Sequence, residues 1–111
     1  MFGLFGRGSI RDLMPEEVAE GLGADKIMLI DVREPNETAR ERIGGALLAP
    51  LSQFDPFDLP DPQGRTVVFI CASGVRSIKA AEIAQAAGFT YDAHLAGGMK
   101  SWKAAGLPVE T

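Results

Sequence analysis

The only cysteine of the chain lies where an apolar run changes into a loop of small and polar residues. Residues 67–70 are all hydrophobic and lead into Cys71, and the loop that follows contains Gly74 and ends with Arg76. Most lone cysteines in strands are core residues, but a cysteine used only for packing needs neither this glycine nor this arginine. The combination of strand end, loop and following helix favours a nucleophile.

The loop after Cys71 has the features that stabilise a thiolate. Gly74 permits a left-handed backbone, so that successive N–H groups can point toward one anion. Arg76 and the dipole of the helix that begins near it add positive potential. A free cysteine with a pKa of about 8.5 is only about 3% ionised at pH 7, so this stabilisation decides whether it reacts. We predict that Cys71 is the catalytic residue and needs no neighbouring base.

A second apolar run, residues 26–32, ends near Asp31 and is followed by Arg33. Ligands of open parallel sheets bind outside the carboxyl ends of the strands, so Asp31 and Cys71 are expected at the same rim. We predict that Asp31 supports the loop through backbone N–H or arginine contacts rather than acting as a base. For Arg33, guiding anions to the rim and forming a structural ion pair both remain open.

The unbroken apolar runs at residues 26–32 and 66–71 are typical of strands buried on both faces of a parallel sheet. Residues 45–50 and 91–97 are weaker strand candidates, and residues 9–11 indicate a short edge strand. Helices are predicted at residues 14–22, after the Cys71 loop and at residues 98–106. In the second helix the predicted apolar face is Ala80, Ile83, Ala84 and Ala87, with Lys79, Glu82 and Gln85 opposite. The pattern predicts an α/β domain with about five mainly parallel strands and helices on both faces.

Composition limits the classes of function. The chain has 111 residues, which indicates one domain, and a net charge of -4 that argues against nucleic acid as a partner. One cysteine and one histidine form no internal disulfide and supply too few ligands for zinc without carboxylates, so no metal or cofactor is expected. A lone thiol favours a reducing compartment, the cytoplasm, and no apolar run is long enough for a membrane span. Residues 1–8 are predicted to be a flexible tail, with a docking peptide as the alternative, before a domain at residues 9–111.

Three segments resemble one known family. The loop "CASGVRS" resembles the active-site loop of rhodanese-family sulfurtransferases, and "LIDVREPNE" is similar to that family's Asp-Val-Arg strand end. The segment "HLAGGMKSWKAAGLPVE" is similar to its closing strand, double glycine, tryptophan helix and Gly-Leu-Pro-Val tail. The resemblance covers residues 9–110 in matching order. One departure is "ERIGGAL", where Arg42 replaces the family's usual histidine and Gly44 its proline, which is expected to loosen a turn.

The resemblance implies a sulfurtransferase reaction. Cys71 would attack the outer sulfur of a donor such as thiosulfate, become a persulfide and pass that sulfur to cyanide, a thiol or a protein acceptor. Arg76 would either bind the anionic donor or brace the loop, and the hydroxyl groups of Ser73 and Ser77 would add donors. The implied substrate- and persulfide-binding loop consists of Ala72, Ser73, Gly74, Val75, Arg76 and Ser77.

Two other functions compete with sulfur transfer. Cysteine phosphatases and arsenate-reductase-like enzymes use a similar loop, but phosphatases place five residues between cysteine and arginine, whereas four separate Cys71 from Arg76. The smaller loop suits one sulfur atom better than a phosphate. Rhodanese-like domains also serve as protein-binding or sulfur-carrier modules with little turnover, and the binding modules typically lack the cysteine that is present here.

The single histidine, His94, invites comparison with a cysteine–histidine dyad. We favour a solvated residue instead, because His94 falls on a candidate edge strand and the thiolate already has donors. Gly97 and Gly98 are predicted to form a tight turn before the last helix. Trp102 in that helix is predicted to be a core residue.

Overall fold

A computed structural model describes residues 9–111, and the predicted tail at residues 1–8 lies outside the described residues. In chain order the strands are β1 (Arg11–Leu13), β2 (Ile27–Asp31), β3 (Leu47–Leu48), β4 (Thr66–Ile70) and β5 (Ala93–Leu95). They form one sheet in the order β1-β5-β4-β2-β3, and every neighbouring pair is parallel. This confirms the predicted α/β fold around a parallel sheet of five strands.

The helices are α1 (Pro15–Gly23), α2 (Pro35–Thr38), α3 (Arg76–Ala86) and α4 (Gly98–Ala104), with 3-10 turns at Leu51–Gln53 and Pro56–Asp58. Pro15 begins α1, as its fixed φ allows at a first helical position. The one-turn helix α2 has no apolar periodicity and was not predicted. Among residues 9–111, no helix is both long and apolar enough to cross a bilayer.

The sheet separates two hydrophobic cores. On one face, Val18 of α1 and Trp102 of α4 pack with Leu29, Val68 and Ile70 of the sheet. Trp102 is 2% exposed, and its indole N–H donates to the Pro108 carbonyl at 2.9 Å, which confirms its predicted place in the core. Helices therefore cover both faces, since α3 lies on the other side.

On that other face, α3 packs its alanines against Met28, Ile30, Val67 and Phe69. The buried residues of α3 are Ser77, Ala80, Ala81, Ala84 and Gln85, and the first four follow the i, i+3, i+4, i+7 spacing from a different starting residue than we predicted. Ile83 and Ala87 are not in the core, and Gln85, predicted to face solvent, is 8% exposed. The prediction is confirmed for Ala80 and Ala84 and wrong for Ile83, Ala87 and Gln85, since the buried face begins at Ser77, whose N–H donates to Cys71 Sγ.

The position of β5 corrects a second prediction. Strand β5 lies between β1 and β4 and is not an edge, because β1 (predicted at residues 9–11) continues to Leu13 and pairs with it. Asp12 and Phe69 lie opposite His94 in the two neighbouring strands. His94 is therefore 2% exposed rather than solvated.

Candidate active site

Cys71 follows the last residue of β4 directly, and its side chain is 1% exposed. The loop then turns back, so that two backbone N–H groups donate to the sulfur: Gly74 N lies 3.1 Å and Ser77 N 3.3 Å from Sγ. The Ser77 hydroxyl oxygen lies 3.5 Å from the same sulfur. Three polar groups of one loop and helix start thus converge on a single buried atom.

These contacts change the acidity of the thiol. Burial raises the pKa of Cys71, but hydrogen bonds from the Ser77 hydroxyl and from the N–H groups of Ser77, Gly74 and Ser73 outweigh it. The pKa of Cys71 therefore lies below its ordinary value. The sulfur also lies at the N-terminus of α3, where the helix dipole favours an anion.

A double-glycine turn holds the other side of the loop. Gly98 lies so close to it that a Cβ atom there would be 2.3 Å from the Cys71 carbonyl oxygen. At the start of α4, Met99 N donates to that oxygen at 2.8 Å and Lys100 N donates to the Ala72 carbonyl at 3.1 Å. Gly74 has a φ of +97°, the left-handed region that glycine favours. The loop backbone is therefore fixed from both ends.

Arg76 links the loop to α2. Its guanidinium forms two hydrogen bonds with the Glu37 carboxylate, at 2.7 and 2.8 Å. This paired geometry braces the start of α3 against the segment after β2, and it engages the two terminal nitrogens that an anionic donor would need. Of the two roles left open by the sequence, the contacts favour bracing.

Asp31 and Arg33 form a buried ion pair. Asp31 is 0% and Arg33 4% exposed, and Arg33 Nη2 lies 2.7 Å from Asp31 Oδ2. The Asp31 carboxylate also accepts the Arg33 backbone N–H, and Arg33 Nη2 donates to the Glu41 carbonyl at 2.9 Å. The pair thus shapes the segment after β2, and the contacts of Arg33 support a structural ion pair.

A network around His94 was missed by sequence reasoning. His94 Nδ1 lies 2.8 Å from the Ser77 hydroxyl oxygen, and Nε2 lies 2.6 Å from Asp12 Oδ1. Asp12 was not predicted as a site residue, because no local sequence pattern connects residues 12 and 94. Only the pairing of β1 with β5 brings them together, and a correct strand order would have been the signal.

A cleft of about 610 Å³ borders the loop at Ala72 and Ser73. The side chains of Arg40 and Lys100 line this cleft, and both residues are exposed. The cleft therefore combines access to the Cys71 loop with positive charge.

The unusual turn at residues 41–47 is tied to the end of the chain. Arg42 and Glu110 exchange two backbone hydrogen bonds, at 2.9 and 2.7 Å. A Cβ atom at Gly44 would be 2.6 Å from Glu110 Oε2, so the missing side chain makes room for this carboxylate. The sequence predicts a loose turn here, but the two hydrogen bonds with Glu110 hold the turn in place.

Comparison with known proteins places this chain in a family. Residues 14–105 match the family model described as the rhodanese-like domain. The chain belongs to the rhodanese-like domain family. It is 30% identical over 102 residues to a sulfurtransferase of Allochromatium vinosum, which covers 90% of this chain and 94% of that protein.

Two further relatives are longer than this rhodanese-like chain. Uncharacterized protein slr1261 of Synechocystis is 40% identical over 96 residues, covering 86% of this chain, which spans 54% of that protein. The structure of the thiosulfate sulfurtransferase from Pseudomonas aeruginosa matches with a TM-score of 0.78 at 27% identity. That match covers 91% of this chain and 20% of the Pseudomonas chain. The chain thus spans about half or less of the length of these two proteins.

The brace between Arg76 and Glu37 predicts a pH-dependent stability. Hydrogen bonding to Arg76 lowers the pKa of Glu37 from 4.5 to about 2, so the pair stabilises the fold fully above pH 4.5 and loses this effect as the pH falls toward 2. Glu37→Gln should lower the free energy of unfolding by about 1–2 kcal/mol at pH 7, the range that partial exposure allows. Glutamine can keep the hydrogen bond that Glu37 accepts from Glu34 N, so the loss comes from the pairing with Arg76, both its charge and its second hydrogen bond.

Urea denaturation of wild type and Glu37→Gln at several pH values measures this difference. The gap should shrink as the pH falls from 4.5 toward 2. Glu41→Gln, which removes the more exposed pair with Lys103, is the matched control and should give a smaller loss at pH 7. A gap for Glu37→Gln that does not vary with pH would contradict the assignment.

Proposed function

We propose that this rhodanese-like protein is a sulfurtransferase that carries a sulfane sulfur as a persulfide on Cys71. The donor is a small molecule such as thiosulfate, and the acceptor is cyanide or a thiol. The observation that carries the proposal is the convergence on Cys71 Sγ of the Gly74 N–H, the Ser77 N–H and the Ser77 hydroxyl. This arrangement stabilises negative charge on sulfur, which the nucleophile needs in this reaction.

In the loading step, the Cys71 thiolate attacks the outer sulfur of thiosulfate. A bond forms between the two sulfur atoms while the sulfur–sulfur bond of the donor breaks, and sulfite leaves with the electron pair. The product is a Cys71 persulfide whose outer sulfur carries the negative charge. In this proposal the N–H groups of the loop stabilise that charge as an oxyanion hole does.

In the unloading step, the acceptor attacks the outer sulfur of the persulfide. With cyanide, a carbon–sulfur bond forms, the persulfide bond breaks, thiocyanate leaves and the Cys71 thiolate returns. A thiol acceptor takes the same sulfur as a persulfide of its own. No cofactor or metal is required, because each step is a displacement at sulfur.

The cleft beside the loop is the route that we propose for the donor. Cys71 is almost fully buried, so the donor reaches it past Ala72 and Ser73, which border the cleft. Arg40 and Lys100 give the cleft the charge that attracts an anion such as thiosulfate. We assign this attraction to these two residues rather than to Arg33 or Arg76, which are engaged in ion pairs.

We further propose that the protein works in a reducing compartment, the cytoplasm, where its single thiol stays free. The volume of the cleft, about 610 Å³, is larger than a small inorganic donor requires, so a protein or peptide thiol also fits the role of acceptor. Nucleic acid is not proposed as a partner, because the net charge of the chain is -4.

Intact-mass measurement after incubation with thiosulfate tests the proposal. The wild-type protein should gain one sulfur atom that a thiol reductant removes, because Cys71 is the only cysteine and hence the only site for a persulfide. Cys71→Ala should gain none. A wild-type protein that stays unmodified, or an equal gain in Cys71→Ala, would reject thiosulfate loading at this residue.

A further inference from the structure

A chain of hydrogen bonds runs from the nucleophile to the surface of the protein. Cys71 Sγ lies 3.5 Å from Ser77 Oγ, Ser77 Oγ lies 2.8 Å from His94 Nδ1, and His94 Nε2 lies 2.6 Å from Asp12 Oδ1. Cys71, Ser77 and His94 are 1%, 0% and 2% exposed, whereas the Asp12 side chain is 68% exposed. This series of hydrogen bonds therefore connects a sulfur atom shielded from water with a solvated carboxylate.

Asp12 determines which ring nitrogen of His94 carries the proton. A carboxylate only accepts hydrogen bonds, so His94 Nε2 carries a hydrogen and donates it to Asp12. In a neutral ring, Nδ1 is then the acceptor, and the Ser77 hydroxyl donates to it. With that hydroxyl engaged, the Cys71 thiol donates to Ser77 Oγ. In this series from Cys71 to Asp12, each side chain thus donates its hydrogen bond in the direction away from the sulfur.

We propose that Asp12, His94 and Ser77 form a proton relay that ionises Cys71. In this step the S–H bond of Cys71 breaks and its proton passes to Ser77 Oγ, while the Ser77 hydroxyl proton passes to His94 Nδ1. A thiol and a neutral imidazole become a thiolate and an imidazolium, so the net charge is unchanged and no other acid or base takes part. The relay deepens the proposed function and rests on it for the use of the thiolate, although the ionisation itself is independent of any sulfur donor.

After the transfer, the two hydrogen bonds of Ser77, to Cys71 and to His94, have reversed their direction. Ser77 donates its hydroxyl hydrogen to the thiolate and accepts one from His94 Nδ1, while Nε2 still donates to Asp12. Ser77 touches the reacting sulfur and is therefore a catalytic residue. His94 and Asp12 act through Ser77 and are positioning residues that hold and stabilise the proton.

Among residues 9–111, three charged residues close to the relay in the sequence are engaged in ion pairs. Arg11 and Asp92, which stand next to Asp12 and near His94 in the sequence, form an ion pair with each other at 3.2 Å. Arg76, next to Ser77 in α3, is paired with Glu37. Asp12 is thus the carboxylate that meets the ring, and a positive charge on His94 has its counter-ion in place.

Two variants remove the relay in different ways. Asp12→Asn removes the counter-ion at an exposed position, and His94→Asn keeps a polar group beside Ser77 but cannot hold the proton. In both, the ultraviolet absorbance of the thiolate should appear at higher pH than in the wild type. The rate of Cys71 alkylation by iodoacetamide at a pH of about 6 should fall at least about tenfold, because less thiolate is present. Asp92→Asn, which neutralises a carboxylate paired with Arg11, is the matched control and should behave as the wild type.

Nuclear magnetic resonance gives a direct readout, because His94 is the only histidine of the chain. At a pH where the wild type shows thiolate absorbance, the nitrogen shifts of His94 should be those of an imidazolium. In Cys71→Ala at the same pH they should be those of a neutral ring protonated on Nε2. A histidine with the same protonation state in both proteins would overturn the relay.

Equal thiolate titrations for wild type and Asp12→Asn would also overturn the relay, and because Asp12 is exposed this holds even if His94→Asn does not fold. These measurements use no sulfur donor. If these measurements give the expected results but the protein gains no sulfur from thiosulfate, the relay is supported and the proposed function is rejected. If the protein gains sulfur but these measurements contradict the relay, the function is supported and the relay is rejected.

Discussion

Gly98→Ala should lower the free energy of unfolding by about 3–5 kcal/mol and disrupt sulfur loading. Gly98 has a φ of +59°, and a Cβ atom there would lie 2.3 Å from the Cys71 carbonyl oxygen and 2.7 Å from the Ala72 carbonyl carbon. Both contacts are with backbone, which cannot rotate away as a side chain does, so the loop or α4 must move. The left-handed conformation of alanine adds about 1–2 kcal/mol to this overpacking. A displaced α4 would also take the Met99 N–H from the Cys71 carbonyl.

The chain offers a matched control in Gly106. This glycine also has a positive φ, +75°, but no atom lies within 4 Å of the position of its Cβ. Gly106→Ala should therefore cost only the conformational part, about 1–2 kcal/mol, and leave sulfur loading intact. Urea denaturation measures both losses. Similar losses for the two variants would show that α4 is not pressed against the Cys71 loop.

Much of the fold could be predicted because burial on both faces leaves a clear trace in the sequence. The cores of β2 and β4 are unbroken apolar runs, and they occupy the centre of the sheet. The short strands β1 and β3 carry little such signal, since their residues are exposed or half-buried. Their bounds depend on pairing with a neighbour, which local patterns do not encode.

The candidate site divides along the same line. The Cys71 loop is one continuous segment, so its glycine, its arginine and the following helix could be interpreted together. The ion pair of Arg76 with Glu37, the contact of Gly98 with the loop and the link from Asp12 to His94 all join distant segments. Such contacts can be predicted only when the strand order is known. The predicted exposure of His94 is wrong because β5 lies between β1 and β4 and not at the edge of the sheet.

The choice of which face of α3 is buried is linked to the geometry of the Cys71 site. Hydrophobicity alone favours burial of Ile83, but the buried face begins at Ser77, whose N–H donates to Cys71 Sγ, and Ala80, Ala81 and Ala84 are buried with it at helical spacing. Small side chains at these positions let the helix lie close to β4. The packing of the helix and the position of its first N–H groups are thus set together.

The same geometry separates sulfur transfer from phosphate chemistry. The N–H groups of Gly74 and Ser77 donate to one sulfur atom, and only four residues stand between Cys71 and Arg76. The guanidinium of Arg76, which would have to bind a phosphate, is engaged with Glu37 on both terminal nitrogens. A loop of this kind suits a monatomic anion better than a tetrahedral one.

Cys71→Ser should therefore reduce the turnover of thiosulfate and cyanide to thiocyanate by at least about 1,000-fold, because a serine hydroxyl is not ionised near neutral pH and forms no persulfide. Thiocyanate release measures this loss. Asp92→Asn changes a residue that pairs with Arg11 and not with the Cys71 loop, so it should retain wild-type turnover. With a generic aryl phosphate as substrate, the wild type should show no more turnover than Cys71→Ser. Robust aryl phosphate hydrolysis that disappears in Cys71→Ser would instead assign the site to a phosphatase, because the loop would then hold a phosphoryl group despite its size.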